Sequence, residues 1–304
     1  YIPAMRIDLQ IAGYRLRLTE TLDVPCIGWP LHPFGAFLDL SGHQPDIEIT
    51  VIIVEELPNL SHGSLHFDAC HGLWRLYDTA GGLLLESLDT RTHQPCARAL
   101  IAENYSKVRV WTCGELSDSV LGWVPMKIIN PIVEVCLLTR VAREGGLLLH
   151  SAGILSPSGG YIFTGASGVG KSTLSGFFAE RGASVLSDER TIIRGNGGDF
   201  VMHGTPWIGS GAYAKNEAGL LTELFCISHG NVHQIKHMAP GAVLAWVFPQ
   251  CFLPHWDRAA MESTLEFLDD VILRVPCRSL AFAKDPSVVE YIQSGCATST
   301  AVAS

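Results

Sequence analysis

Residues 164–174 read TGASGVGKSTL, and Gly165–Ser172 fits the pattern GxxxxGK[ST] at every position. Each residue type has a chemical reason. Glycines let successive backbone N–H groups curl around phosphate oxygens, and a helix starting behind them adds a favourable dipole. Lys171 would neutralise charge on the β- and γ-phosphates, and the Ser172 hydroxyl would be a ligand for Mg²⁺. Gly165, Ala166, Ser167, Gly168, Val169, Gly170, Lys171, Ser172 and Thr173 are therefore the expected nucleotide-binding residues, with ATP and Mg²⁺ as the implied cofactors.

An acidic pair follows closely. Only about sixteen residues separate Ser172 from Asp188, which stands with Glu189 at the end of Ala183-Ser-Val-Leu-Ser-Asp-Glu189. Two carboxylates beside a γ-phosphate suit phosphoryl transfer to a hydroxyl: one holds metal and the other takes the hydroxyl proton. The elements that must position them are legible too. Tyr161–Thr164 reads as a strand and Ser172–Arg181 as a helix. A right-handed crossover makes the strand 183–186 parallel to 161–164, which brings Asp188 and Glu189 to the edge that carries the glycine loop.

The rest of the chain divides in texture. Short alternating runs at Tyr14–Leu18, Ile47–Val54, Leu73–Tyr77, Leu83–Glu86 and Lys107–Trp111 predict antiparallel strands, with a turn at 78–82. Residues 1–125 are thus expected to form a β-rich module. Ile128–Arg143 has helical spacing and ends at Gly145-Gly146, and strand–loop–helix alternation follows. Residues 126–295 are expected to be an α/β P-loop domain, and 296–304 a loose tail.

Composition narrows the function. Of 304 residues, 47% are apolar and 17% charged, enough for a substantial core, and the net charge of −9 argues against nucleic acid as a partner. No apolar run reaches the roughly 18 residues of a membrane helix. The first twenty residues lack the layout of a signal peptide. Nine scattered cysteines without a CxxC pair read as reduced thiols, so a cytoplasmic protein is expected.

The order His150-Ser-Ala-Gly153, then Gly165–Ser172, then Leu186-Ser-Asp-Glu189 resembles the HPr serine kinase/phosphorylase fold. In that family a histidine lies one strand before the phosphate loop, and an Asp-Asp pair ends the strand after it. Gly204-Thr-Pro-Trp207 followed by Leu220–Ile227 resembles the shorter HPr-kinase-related proteins found beside peptide-modification genes. These include lasso-peptide clusters, where some phosphorylate a serine of the precursor peptide. The resemblance spans about residues 145–290. It implies an α/β P-loop kinase-like domain behind a smaller β-rich one, and an ATP-dependent serine kinase acting on a peptide or protein. It also implies roles: Asp188 as general base and second metal neighbour, Glu189 as metal ligand, and His150 near the transferred phosphate. Glu189 stands where the family has aspartate, and the bifunctional enzymes' C-terminal signature is not found, so neither the reverse activity nor HPr as substrate is implied.

Lesser candidates are weighed alongside. Arg190 reads as a partner of Glu189, Lys215 as a loop lysine able to swing towards phosphate, and His203 and Trp207 flank a turn near the site. His229, His233 and His237 have the spacing of ligands on a helix, but Gly230-Asn231 interrupts it. His62, His66, Asp68, Cys70 and His71 match no zinc spacing. Asp269 and Asp270 fall on the polar face of an amphipathic stretch. Three other readings stay open: a kinase for free serine or a sugar, a nucleotide-dependent binding protein without turnover, and last a carboxykinase-like enzyme, for which the sequence shows no additional cluster for a transition metal or an oxaloacetate-type acid. Self-association is also open.

Overall fold

Alternation of apolar and polar residues builds the first part of the chain. In the computed structural model, residues 6–21, 32–69, 73–89, 91–113 and 129–300 are described. Contacts divide the protein into two compact units, one of Tyr1–Arg140 with Pro254–Ala260 and one of Val141–Leu253 with Met261–Ser304.

The first unit is an eight-stranded sheet. Its strands are β1 (Arg6–Ile11), β2 (Tyr14–Glu20), β3 (Ile47–Val54), β4 (Leu65–Asp68), β5 (Trp74–Thr79), β6 (Gly82–Leu88), β7 (Pro95–Ala102) and β8 (Lys107–Cys113). Their order is β1-β2-β3-β8-β7-β6-β5-β4. Leu16, Leu18, Ile47, Ile49, Val51, Val108 and Val110 all point inward from alternate positions and are buried. The predicted strands are found, and the sheet is not purely antiparallel: β3 runs parallel to both β2 and β8. Alternation does not reveal β7, because its buried positions 97 and 99 are alanines while Leu100 faces outward. The segment 254–260 belongs here, where Tyr105 donates a hydrogen bond of 3.1 Å to Asp257. His66 lies in this unit on β4, bonded to the Trp256 carbonyl and paired with Asp78, while Cys70 and His71 lie outside the described residues.

The second unit begins within the helix α1 (Glu134–Arg143), at the end of the predicted 128–143 helix. Ile129–Val133 is a wider π turn, and residue 128 and the expected boundary at 125/126 lie outside the described residues. The strands that follow are β9 (Gly146–Ser156), β10 (Gly159–Thr164), β11 (Ser184–Ser187), β12 (Arg190–Asn196), β13 (Asp199–His203), β14 (Ala218–Leu220), β15 (Glu223–His229), β16 (Gln234–His237), β17 (Cys251–Phe252) and β18 (Cys277–Phe282). They form one mixed sheet in the order β14-β13-β12-β9-β10-β15-β18-β16, with β11 and β17 also paired to β9. The remaining helices are α2 (Lys171–Ala179), α3 (Pro240–Val247), α4 (Arg258–Arg274) and α5 (Val288–Thr300). None of the helices described is long and apolar enough to cross a membrane. The helix α5 carries backbone helix through residue 300, into the expected tail.

Both faces of this sheet are covered, as the apolar runs in β10 and β15 require. On one face Leu147, Leu149, Ile162, Leu224 and Cys226 pack with Val243 and Val247 of α3 and with Phe267, Leu268 and Val271 of α4. On the other, Ala152, Ile154, Phe163, Phe225 and Leu280 pack with Leu174 and Phe178 of α2 and with Val288 and Ile292 of α5. Phe163 and Phe225 stack with centroids 5.3 Å apart. The cysteines whose side chains are described are free thiols, and burial pushes Cys136, Cys226, Cys251 and Cys277 up to about 12.

His203 ends β13 inside this sheet, and burial pushes its imidazole down to about 4, with Arg194 adding to the effect. The folded state therefore binds this proton less readily than the unfolded chain, whose histidine titrates near 6.5. Stability from this group is whole above about pH 6.5, falls as pH drops towards about 4, and levels below that. Unfolding free energies from urea titrations across that window should fall by an amount on the order of 1–3 kcal/mol, and the fall should shrink in His203→Gln.

Candidate functional site

The glycine loop sits where its sequence places it, between the buried strand β10 and the helix α2. Gly170 makes the turn into α2 at φ 107°, and a Cβ there would lie 2.9 Å from Phe282 Cζ. Only glycine suits that position. The first amides of α2 have no partner within the helix and face outward over the loop. Lys171 is buried and folds back, donating from Nζ to the carbonyls of Gly165 at 3.0 Å and Ala166 at 3.3 Å. Burial pushes its ammonium below the ordinary lysine value, with Glu189 and Asp188 acting in the opposite direction.

The strand β9 brings the other residues to this loop. Its neighbours β10 and β11 both run antiparallel to it, on opposite sides, so they point the same way with β9 between them. The predicted parallel direction of the 183–186 segment holds, but across an intervening strand. Thr164 pairs with Ser151 and Ser187 pairs with Gly153, so both strands end at one edge. His150 lies there as well: Thr164 Oγ1 donates to its carbonyl at 3.0 Å, and Ser151 N donates to the Glu189 carbonyl at 3.1 Å. Pleat parity puts His150 on the same face as Ala152 and Ile154, the face covered by α2.

A cavity of about 280 Å³ opens at this edge, lined by His150, Ser167, Gly168, Gly170, Lys171, Ser172, Thr173, Asp188, Glu189 and Ser210. Most of the expected nucleotide-binding residues line it, together with all three expected catalytic ones. Gly165 and Ala166 contribute the carbonyls that hold Lys171, and Val169 packs into the core under the loop.

The two carboxylates sit in different surroundings. Asp188 is 1% exposed, and its oxygens accept hydrogen bonds from the amides of Gly209 at 3.0 Å, Gly211 at 2.7 Å and Tyr213 at 3.3 Å. A Cβ on either glycine would lie 2.8 Å from Asp188 Oδ2, so both positions must lack one for the amides to reach the carboxylate. Glu189 is the exposed carboxylate, with 36% of its side chain accessible. His150 Nε2 stands 3.6 Å from Glu189 Oε1, long for a hydrogen bond but close enough for charge attraction. The imidazole holds the Glu189 carboxyl below the usual glutamate range, against the opposing effect of burial. On its other side His150 Nδ1 lies 3.3 Å from Gln250 Oε1, which keeps the ring in place.

The donor set near the loop is hard oxygen, the Ser172 hydroxyl and the Glu189 carboxylate. Mg²⁺ characteristically takes one or two carboxylates and completes its shell with phosphate oxygens and water. The site thus fits Mg²⁺ carried with a nucleotide better than a protein cage, and among the described residues no three His, Cys, Asp or Glu side chains gather as a metal site. The lesser candidates lie elsewhere. The Arg190 guanidinium stacks over Phe252 at 4.4 Å and Trp207 at 5.5 Å, while Trp207 is core. Lys215 donates to Ser184 Oγ at 2.9 Å and is not in the cavity wall. His229 ends β15 and His237 ends β16, so the three histidines share no helix, and His233 bonds Ser287. Asp270 pairs with Arg274 on α4, one turn along.

Sequence reasoning missed Gln250, Gly209, Ser210 and Gly211. The run Gly-Ser-Gly between Ile208 and Ala212 was a usable signal for a tight backbone approach. Gln250 left none, because its partner is 100 residues away. A larger cavity of about 530 Å³ in the first unit is lined by Glu48, Lys107, Arg109 and strand residues, without a glycine loop.

No family model and no curated protein matches the chain. Among solved structures, the HPr(Ser) kinase/phosphatase from Coxiella burnetii is similar to it at 10% identity over 48% of this chain and 91% of the other, with a TM-score of 0.28. A likeness of that size assigns neither the fold nor an activity.

The Asp188 anchor can be tested by stability alone. Asp188→Asn substitutes an NH₂ donor for one acceptor oxygen facing those amides, and should cost about 1–3 kcal/mol in urea unfolding. Gly211→Ala should cost about as much, through the clash with Asp188 Oδ2. An unchanged midpoint in both would show that the carboxylate does not hold the loop.

Proposed function

We propose that this protein is a kinase that transfers the γ-phosphoryl group of ATP to a serine hydroxyl of a peptide or protein. One observation carries the reading: the Gly165–Ser172 loop and the His150–Glu189 pair open on the same cavity. A phosphate loop alone would fit a switch or a motor. A histidine set beside a carboxylate in the same small space gives an incoming hydroxyl a group to be held by and to lose its proton to, and leaves the carboxylate for metal.

The residues divide the work as follows. Amides of the loop and of the start of α2 bind the phosphates, and Lys171 leaves its two loop carbonyls to neutralise them. Ser172 and Glu189 are the oxygen donors that would hold Mg²⁺, which when bound with the nucleotide neutralises charge developing on the phosphate oxygens. His150, held between Gln250 and Glu189, orients the acceptor hydroxyl and receives its proton. Asp188 is a positioning residue in this reading rather than the base expected from resemblance, because three amides already occupy its carboxylate. Phosphoryl transfer asks little of a base, so positioning and electrostatics supply most of the rate.

The test is transfer of labelled phosphate from γ-labelled ATP in Mg²⁺ to small proteins and peptides of the source cell, with free serine as a separate acceptor. Label should appear on a peptide or protein serine. Lys171→Met and Glu189→Gln should each lower the rate by about two orders of magnitude or more. Label on free serine alone would replace the peptide acceptor with a metabolite. Tight nucleotide binding with no transfer to any acceptor would leave a nucleotide-gated binding protein.

A further inference from the structure

The cavity wall contains a serine that the reaction described above does not use. Ser210 is exposed and lines the cavity with Lys171, Ser172, Glu189 and His150. Its hydroxyl makes no hydrogen bond to any described residue, and the backbone around it is fixed. Gly209 N and Gly211 N, one on each side, both donate to Asp188, and Ala212 N closes a turn onto the Gly209 carbonyl at 3.1 Å. A buried carboxylate therefore clamps the loop while the one side chain between the two glycines is left free to rotate towards the phosphate site. A loop kept only to cover the cavity would not need a hydroxyl there.

We infer that Ser210 is a phosphorylation site of this chain, filled by the chain's own transfer reaction. This inference rests on the kinase reading. In the step, Ser210 Oγ forms a bond to the γ-phosphorus of a nucleoside triphosphate as the bond from that phosphorus to the β–γ bridging oxygen breaks. The nucleoside diphosphate leaves with the bonding electrons, and the hydroxyl proton passes to the His150 imidazole. The phosphoserine brings nearly two negative charges into the space where incoming phosphates must sit, beside Glu189. Self-modification is thus a brake: the modified chain binds nucleotide more weakly than the unmodified one.

The experiment incubates the full chain with γ-labelled ATP and Mg²⁺, then reads intact mass and maps the modified peptide. The expected result is one phosphoryl group per chain on residue 210, at a rate independent of protein concentration. Ser210→Thr should carry the group on the new hydroxyl, whereas Ser210→Ala and Glu189→Gln should carry none at that position. ADP titration of each variant reports whether the cavity is intact. A rate rising with protein concentration, or label on Ser210→Ala equal to wild type, overturns the inference. If the chain labels an added peptide or protein acceptor while Ser210 stays unmodified, the inference falls and the kinase reading stands. If calorimetry shows no nucleotide binding and no turnover follows, both fall together.

Discussion

Everything at the candidate site depends on the pairing of β9 along both of its edges. This eleven-residue strand carries β10 and β17 on one side and β11 and β12 on the other. A strand with both edges occupied cannot slip its register without breaking several ladders at once and turning its buried side chains outward. His150, Thr164 and Glu189 are thereby brought to one edge, tied by the Thr164 hydroxyl to the His150 carbonyl and by the Ser151 amide to the Glu189 carbonyl. The two cores on either face of the sheet make that edge rigid, since Leu149 faces one core and Ala152 the other.

Rigidity at the edge is what lets the charged groups stay close. Lys171 and Asp188 are buried, and a buried charge is costly unless hydrogen bonds replace water. The structure meets that cost with backbone groups: carbonyls of the loop for the ammonium, and amides of residues 209, 211 and 213 for the carboxylate. Glu189 and His150 keep partial exposure and each other. The acidic pair is therefore divided by environment: both members line the cavity, Asp188 buried with three amides on its oxygens and Glu189 more exposed beside His150.

Much of this was legible beforehand. The glycine loop, its strand and its helix are local in sequence, and the GxxxxGK[ST] spacing of glycines, lysine and serine is written within eight residues. Five strands of the first unit, β2, β3, β5, β6 and β8, showed themselves by alternation; β1 and β4 were not read from it, nor was β7, where alanines at 97 and 99 hid the period. What could not be read was the difference in surroundings between Asp188 and Glu189. Adjacent acids look alike until their partners are known, and the partners of Asp188 lie 21 to 25 residues further on. The loop 209–213 and Gln250 were invisible for the same reason.

The amino-acid order by itself determined a glycine phosphate loop with an acidic pair close behind it, because backbone curvature and helix capping are set by neighbouring residues. It also determined the change from a strand-rich first part to strand–helix alternation. Only the tertiary structure decided that β9 lies between β10 and β11, that segment 254–260 joins the first unit, and that Asp188 holds the amides of Gly209 and Gly211 at the cavity. Those facts are long-range pairings, chosen by which buried polar groups can be satisfied and which apolar faces can be covered together, and no single stretch of sequence contains both partners.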